Sequence, residues 1–408
     1  MSCKPVLTER NPHVKKMICI AAAVCELSIW AETGPGTYFV PKSGTANVAA
    51  SVPRNEKALV RKTVAFLGGS ITEMHGFRPR VMKLLRERYP QVDFTEIAAG
   101  LSSTCSDTGA FRVDDDVLAH GTPDLFIVEE AVNDEQDGHF GRSRCIRGLE
   151  GIVRRVRIVN PVCEIVVGLM VNKEQYDRLM AGGEPVAYAA GSDVAAHYGA
   201  AVADVGRALV ASAKSGGMSW KEYRDCHPSP EGCDFGAKVV MDAVEKVFDP
   251  MKPSKAKVLP PPMDGFSYWR GRTLAASDMK LGDGWRMSAP DWKSIPGSKR
   301  DYFCRGEIVW SETPGAMLEV RFVGTAIGAL LTAGPDAGNL EVSVDGGEWR
   351  LFNLRADYGQ LHYPYTEMFA DELDASAHTV RLRVAEAMRG GRRCFTIRLH
   401  RISVNGVQ

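Results

Sequence analysis

The feature that most constrains the fold is a regular alternation of short apolar runs and amphipathic stretches between Thr63 and Phe248. Short apolar runs predict buried strands, and apolar residues spaced three and four apart predict helices. Strands that alternate with helices typically form a parallel sheet covered on both faces, so we predict an α/β fold. The predicted strands are 63–67, 93–98, 124–129, 164–169 and 200–205, and the main predicted helices are 78–89, 142–159, 186–198 and 236–248.

The pattern changes after a proline-rich stretch, residues 250–266, which predicts a stiff, extended linker. Beyond it the apolar residues alternate with a period of two, and turn signals such as Gly334-Pro335-Asp336 and Gly390-Gly391 separate the runs. Many short strands with few helices are typical of a β-sandwich. We therefore predict an N-terminal extension (1–62), an α/β domain (63–249), the linker, and an all-β, jelly-roll-like sandwich (267–408) with strands at 317–322, 326–332, 340–344, 378–384 and 394–399.

Charge and hydropathy exclude some partners. Lys and Arg total 50 and Asp and Glu total 50, so the basic excess typical of nucleic-acid binders is missing. No apolar run is long enough to predict a membrane-spanning helix. Lys15-Lys16 followed by the apolar run Met17–Cys25 has the order of a secretory signal, although Glu26 interrupts it. Secretion or export to a periplasm and a cytoplasmic location therefore both stay open.

A serine stands where the first predicted strand meets a helix, in the segment Gly68-Gly69-Ser70-Ile71-Thr72. Small residues before the serine let the backbone turn sharply and let a substrate approach. The N–H groups of such a turn favour a developing anion. A plain turn or a phosphate cradle would have a similar sequence, but no lysine of the nucleotide-binding loop follows.

Two further polar segments are predicted at the same edge of the sheet. Asp225-Cys226-His227-Pro228 precedes the last predicted helix, and Asp225 could fix the tautomer of the His227 ring. Asn133 follows the predicted strand 124–129, where its amide could donate to an oxyanion or merely serve as a helix cap or turn residue. Because strand ends meet at one edge, we expect Ser70, His227 and Asn133 to lie close together.

Taken together, four segments resemble the SGNH (GDSL-like) hydrolase superfamily: 68–72, 99–104, 131–134 and 227–228. The resemblance implies a three-layer, flavodoxin-like sheet, with Ser70 as nucleophile and His227 as general base. It also implies an oxyanion hole formed by the Asn133 side chain and the N–H groups of Ser70 and Ser103, with Gly69, Gly100 and Arg78 as candidate substrate contacts.

This chain departs from the family pattern at three positions. Ser103 and Ala131 stand where glycine is usual, and Arg224 stands three residues before the histidine, where the family places its acid. Two alternatives follow for the histidine. Either Asp225 reaches the ring of His227 and completes a triad, or a main-chain carbonyl orients the ring and the site is a dyad.

Three segments of the C-terminal region, 310–316, 322–325 and 334–346, resemble the sandwich appended to some bacterial carbohydrate-directed SGNH esterases. This similarity implies removal of a small acyl group, acetyl above all, from a carbohydrate, with no cofactor or metal. A lipase, thioesterase or arylesterase remains an alternative, as does a non-catalytic glycan-binding protein on the same fold, and the oligomeric state stays open. Several aromatic residues of this region are candidates for sugar stacking or, more simply, for core packing: Tyr302, Trp310, Trp349, Tyr358, Tyr363 and Tyr365.

Overall fold

The structure is a computed structural model that describes residues 60–354, 358–386 and 394–407. A five-stranded parallel sheet with helices is followed by an antiparallel β domain, which confirms the predicted fold class. The candidate signal segment, with the rest of residues 1–59, lies outside the described residues, as does the predicted turn at Gly390-Gly391. The described helices include none with the length and apolarity needed to span a bilayer.

The parallel sheet has the strand order β2-β1-β3-β4-β5. Strands β3 and β4 are buried along their whole length, which explains why their sequences are almost continuously apolar. The chain runs outward in opposite directions on the two sides of β1, so a crevice forms at the carboxyl ends of β1 and β3. The strands are β1 Val60–Gly68, β2 Val92–Gly100, β3 Leu125–Glu129, β4 Glu164–Leu169 and β5 Ala201–Asp204.

Two groups of helices cover this sheet. They are α1 Ser70–Glu73, α2 Phe77–Arg88, α3 Ser106–Asp116, α4 Ala131–Gln136, α5 Arg142–Val159, α6 Lys173–Met180, α7 Val186–Tyr198, α8 Val205–Lys214, α9 Trp220–Tyr223 and α10 Pro230–Val247. Helix α2 packs against α10, whereas α5 packs between α3 and α7. The last helix begins six residues earlier than the predicted 236, because Ser229 Oγ accepts the Gly232 N–H at 3.0 Å and Pro230 takes the first helical position.

The second domain is built from antiparallel strands, with one short parallel pair between β9 and β14. The strands are β6 Gly271–Leu274, β7 Met279–Leu281, β8 Arg286–Ser288, β9 Ser298–Lys299, β10 Ile308–Ser311, β11 Met317–Ala333, β12 Asn339–Val344, β13 Arg350–Asn353, β14 Leu361–Ala370, β15 Ser376–Val384 and β16 Ile397–Gly406.

The separate strands predicted at 317–322 and 326–332 are wrong, because the structure joins them in the single strand β11. Its first half pairs with β15 and its second half with β14 and β16. The register to β16 shifts between Gly324 and Ala326. A Cβ at Gly324 would overlap the carbonyl oxygen of Asn405, so this glycine marks a close approach of two strands and not a chain reversal.

The proline-rich stretch and the sandwich are both fastened to the α/β domain. Glu150 of α5 accepts the Met263 N–H at 2.6 Å and the Asp264 N–H at 3.1 Å. The nearby guanidinium of Arg147 pairs with Asp264 at 2.8 Å and with Asp371 of the sandwich at 2.9 Å. The stretch 250–266 contains no described helix or strand, yet these contacts hold it against α5.

Candidate active site

Ser70 is the first residue of the one-turn helix α1, directly beyond β1. Two glycines let this turn approach its neighbours. A Cβ at Gly68 would overlap the Glu129 carbonyl oxygen at the end of β3, and a Cβ at Gly69 would overlap Oδ1 of Asn133. Gly69, expected as a substrate contact, therefore packs against the predicted oxyanion donor, and the two glycines place the serine beside α4.

His227 reaches this serine from far along the chain. Its Nε2 lies 2.8 Å from Ser70 Oγ, so the imidazole can accept the hydroxyl proton. Burial of the ring lowers the pKa of His227, while the negative charge of Asp225 raises it. Because burial outweighs the charge, the ring is neutral at physiological pH and available as a base.

The position three residues before His227, where the family usually has an acidic residue, is Arg224 in this chain. Arg224 has φ +91°, and its guanidinium donates to the His227 carbonyl oxygen at 3.1 Å. Asp225 Oδ1 accepts the main-chain N–H of His227 at 2.6 Å. The contact at Nδ1 is Cys226 Sγ at 3.8 Å, and no hydrogen bond within the described ranges joins Nδ1 to a carboxylate or a main-chain carbonyl. Neither predicted arrangement of the ring is therefore present, although Asp225 remains close: its carboxylate, the Cys226 thiol and a ring nitrogen lie within 4.8 Å of one another.

The second predicted oxyanion donor is Ser103, in the loop after β2. Its φ is +61°, in the left-handed region that explains why glycine is usual at this position. The loop is held by Glu73 of α1, which accepts the Ser102 N–H at 2.6 Å and the Ser102 hydroxyl. A side chain at Ser103 costs roughly 1 kcal/mol in this conformation, but the main-chain N–H is retained.

The third donor, Asn133, is buried in α4 beside Gly69. It does not cap this helix, whose N-cap is Glu130. Its Nδ2 donates to Asp137 Oδ2 at 2.5 Å, and its Oδ1 has no hydrogen-bond partner within the described part of the chain. The acceptor Asp137 thus fixes which end of the amide is the donor, and Nδ2 keeps a second N–H for an oxyanion.

Arg78 and Gly100, the other expected substrate contacts, have structural partners. The buried guanidinium of Arg78 donates to the Thr72 carbonyl oxygen at 3.1 Å and pairs with Glu96. A Cβ at Gly100 would overlap the main-chain nitrogen of Glu73. Both residues hold α1 against β2, so the structure does not bring them to the substrate side of Ser70.

Residues 66–235 match the family model described as GDSL-like lipase/acylhydrolase. The match spans most of the α/β domain. No curated protein sequence matches the chain. Among solved structures, the GDSL-like domain and the sandwich together are similar to a two-domain esterase (CEX) active on acetylated mannans, with 22% identity and a TM-score of 0.69 over 85% of this chain and 92% of that one. The same esterase with mannopentaose gives 21% identity, a TM-score of 0.69, and coverage of 85% and 91%. This likeness shows a shared two-domain fold.

The sandwich contributes side chains to the surroundings of the GDSL-like site, which the sequence did not predict. Leu101, next to Ser102 and Ser103, packs in one apolar cluster with Phe303 and Leu330 of the sandwich. The Tyr302 hydroxyl lies beside Glu73 and Ser102, and the Tyr358 hydroxyl donates to Asp137. Burial lowers the pKa of His227 and raises that of Glu73; the positive charge of Arg300 adds to the first effect and partly offsets the second.

The remaining aromatic candidates lie within the sandwich. Tyr363 is buried, and the Tyr365 hydroxyl donates to Glu367 at 3.0 Å. Trp310 Nε1 donates to Ser288 Oγ at 3.0 Å while Arg286 covers its ring. The ring of Trp349 is partly exposed, with the Arg383 guanidinium 4.2 Å from its centroid. Core packing accounts for the first two rings and cation–π contacts for the others.

Buried carboxyl groups lie beneath the oxyanion side of the GDSL-like site. Burial raises the pKa of Glu129, at the end of β3, to about 8, and that of Asp134 in α4 to about 7. Thr72 Oγ1 donates to Glu129 at 3.2 Å, and Ser106 donates to Asp134 through both its N–H and its hydroxyl at 2.8 Å. Glu129 is therefore mainly protonated at neutral pH, which avoids a second negative charge near a developing oxyanion.

Proposed function

We propose that this chain is a serine esterase that removes a small acyl group, acetyl above all, from a carbohydrate. The observation that carries the proposal is the 2.8 Å contact between Ser70 Oγ and His227 Nε2, in a turn bordered by Asn133 and the loop of Ser103. An alcohol activated by a neutral imidazole beside N–H donors is the arrangement required for acyl transfer.

In the first step, Ser70 Oγ attacks the ester carbonyl carbon while His227 takes the hydroxyl proton. The oxyanion is held by the N–H groups of Ser70 and Ser103 and by the Asn133 amide. Collapse of the tetrahedral intermediate breaks the ester C–O bond, and His227 returns the proton to the departing sugar oxygen. Water, deprotonated by His227, then attacks the acyl-serine, which releases the carboxylic acid and restores the Ser70 hydroxyl.

The carbohydrate part of the proposal is supported by the shared two-domain fold. The similar solved esterase is active on acetylated mannans, and this chain has both of the corresponding domains over 85% of its length. We extend to this chain the class of substrate, an acetylated polysaccharide or oligosaccharide, and not the particular glycan. Fold similarity is an analogy for function, so the substrate class requires its own experiment.

The test uses the purified full chain with aryl acetate, butyrate and octanoate, and with acetylated mannan and xylan. We expect acetate release from at least one glycan, activity on aryl esters that falls steeply beyond acetate, and no activity above background for Ser70→Ala. Full activity of Ser70→Ala would contradict the proposal, and faster hydrolysis of octanoate would favour a lipase or thioesterase.

A non-catalytic glycan-binding protein is the second candidate, favoured by the arrangement of Asp225, whose carboxylate bonds the main chain of His227 and not its ring. A serine-directed phosphonate separates the two candidates. Labelling of Ser70 supports an esterase, whereas glycan binding without labelling supports the binding protein.

A further inference from the structure

Two segments of the α/β domain are predicted to supply oxyanion donors, and each of them is in contact with one tyrosine of the sandwich. Leu101, in the loop that contains Ser103, belongs to an apolar cluster on which Tyr302 packs, and helix α4, which contains Asn133, lies against Tyr358. Tyr358 and Asp137 are 221 residues apart in sequence and belong to different domains, so such contacts depend on how the sandwich is docked.

On the first side, the contact runs through Glu73. The Glu73 carboxylate accepts the N–H and the hydroxyl of Ser102, the residue before Ser103. The Tyr302 hydroxyl lies beside this carboxylate, and the Tyr302 ring packs against the apolar cluster that contains Leu101 and Phe303. Tyr302 thus covers the carboxylate that holds Ser102 and keeps Glu73 against the loop of Ser103. Leu101 adds apolar packing against Phe303 of the sandwich.

This support matters because Ser103 has left-handed backbone geometry that a residue with a side chain adopts only when its surroundings impose it. The direction of the Ser103 N–H depends on that conformation. Glu73, with Tyr302 beside it, holds the preceding residue and therefore opposes relaxation of the loop.

On the second side, the contact runs through Asp137. Its Oδ1 accepts the Tyr358 hydroxyl, and its Oδ2 accepts Asn133 Nδ2 at 2.5 Å. Each carboxylate oxygen therefore accepts one hydrogen bond. These two bonds fix the plane of the carboxylate and, with it, the orientation of the Asn133 amide. Tyr358 is itself held in the sandwich by an edge contact with Tyr363, with ring centroids 5.0 Å apart.

We propose that Tyr302 and Tyr358 are positioning residues that brace the two halves of the oxyanion hole, so that the sandwich completes the catalytic geometry of the α/β domain. The inference rests on the proposed esterase function. It gives the second domain a role in the chemical step that is separate from any contact with sugar. Removal of either hydroxyl displaces a donor and lowers kcat, while the affinity for a small substrate changes little.

The test replaces each tyrosine by phenylalanine in the full chain, which removes the hydroxyl and keeps the ring. The substrate is an aryl acetate, which is too small to depend on distant sugar subsites. We expect Tyr302→Phe and Tyr358→Phe each to lower kcat roughly tenfold, with KM within about twofold. Tyr365→Phe, which loses a hydroxyl bonded to Glu367 inside the sandwich, is the matched control and should keep wild-type kcat. Wild-type kcat in Tyr302→Phe or Tyr358→Phe would overturn the role of that tyrosine.

A double-variant experiment tests the route of each effect. Because Tyr358 acts through Asn133, Tyr358→Phe should cause no further loss in an Asn133→Ala background, whereas Tyr302→Phe should still do so. A full additional loss from Tyr358→Phe would mean that Tyr358 acts elsewhere and would overturn its assignment.

Amide hydrogen exchange supplies a readout that does not require activity. Residues 101–104 should exchange faster in Tyr302→Phe, and residues 131–137 faster in Tyr358→Phe, with no change in Tyr365→Phe. If the wild-type protein were inactive, only the proposed function would be refuted. Hydrogen exchange would still decide the positioning role: unchanged exchange in the Tyr→Phe variants would overturn it, and faster exchange would support it.

Discussion

The substitution Asp225→Asn measures how much the site depends on a carboxylate near His227. Asp225 Oδ1 accepts the His227 main-chain N–H at 2.6 Å, and the amide oxygen of asparagine can accept the same bond. The substitution is close to isosteric, so what it removes is one negative charge. In a triad whose buried aspartate bonds the ring directly, the same change costs about ten-thousandfold in kcat, as in the serine proteases.

The magnitude expected here follows from distance and exposure. The carboxylate and a ring nitrogen lie within 4.8 Å of each other, and the Asp225 side chain is 45% exposed, with Arg224 Nε 3.7 Å away. Charges at about this distance interact by roughly 1 kcal/mol in water and about 4 kcal/mol near a protein surface. Exposure and the partly compensating guanidinium favour the lower value, so we expect about 1 kcal/mol, or roughly a fivefold loss of kcat/KM.

The pH dependence of kcat/KM shows in which direction the substitution shifts the pKa of His227. Asp225 raises the pKa of His227, so its removal lowers that pKa. The acid limb of kcat/KM reports the ring of the free enzyme, and it should move to lower pH by roughly 0.7 units, the equivalent of about 1 kcal/mol. The assay is aryl acetate hydrolysis across the pH range in which the enzyme is stable. Asp242→Asn, which removes a charge from an exposed position of α10, is the control and should leave the profile unchanged.

A thousandfold loss in Asp225→Asn would refute this reasoning, because it would mean that the carboxylate bonds the ring during turnover. An unmoved acid limb would refute it in the opposite direction, since Asp225 would then contribute no charge stabilisation to the imidazolium.

Three further predictions concern the donors and the buried acids. Gly69→Ala should lower kcat about a hundredfold or more, because the added Cβ displaces the Asn133 amide; a wild-type kcat would show that Asn133 is not a donor. Ser103→Gly should keep activity and raise the free energy of unfolding by up to about 1 kcal/mol in denaturant titrations, since it relieves a left-handed residue, whereas a loss of stability would contradict the strain. Burial raises the pKa of Glu129 to about 8 in the folded protein, above its value in the unfolded chain. Between these two pKa values Glu129 is protonated in the folded state and ionised in the unfolded state. Stability should therefore decline as pH rises from about 5 to 8, by at most about 1.4 kcal/mol per pH unit. Glu129→Gln should flatten that decline, and an equally steep decline in the variant would assign it to other groups.

The elements that could be predicted from sequence are those whose burial leaves a local pattern. Strand β4 and helices α5 and α7 have the predicted bounds, because β4 is buried on both faces and the helices bury regular faces. The approach of His227 to Ser70 could also be anticipated, since both follow from where strands end in a parallel sheet.

What could not be predicted depends on partners distant in sequence. The sequence predicts a break between strands at 323–325, yet the strand continues there because β16 pairs with it from Gly324 onward. Asp225 lies two residues before His227, close enough in sequence to reach the ring, but Arg224 has φ +91° and the Asp225 carboxylate bonds the main chain of His227. A strand distant in sequence decided the first outcome and one backbone conformation the second, and no pattern of neighbouring residues encodes either.

The tyrosines extend this argument from the fold to the chemistry. Tyr302 and Tyr358 are aromatic residues in an aromatic-rich sandwich, and nothing local separates them from Tyr363 or Tyr365. Only docking of the two domains, fastened by the Arg147 ion pairs and the packing of Leu101, brings their hydroxyl groups to Glu73 and Asp137. If the oxyanion donors depend on these contacts, the interface between the domains is part of the catalytic site. A substitution that loosens the interface far from Ser70 should then lower kcat before it unfolds either domain.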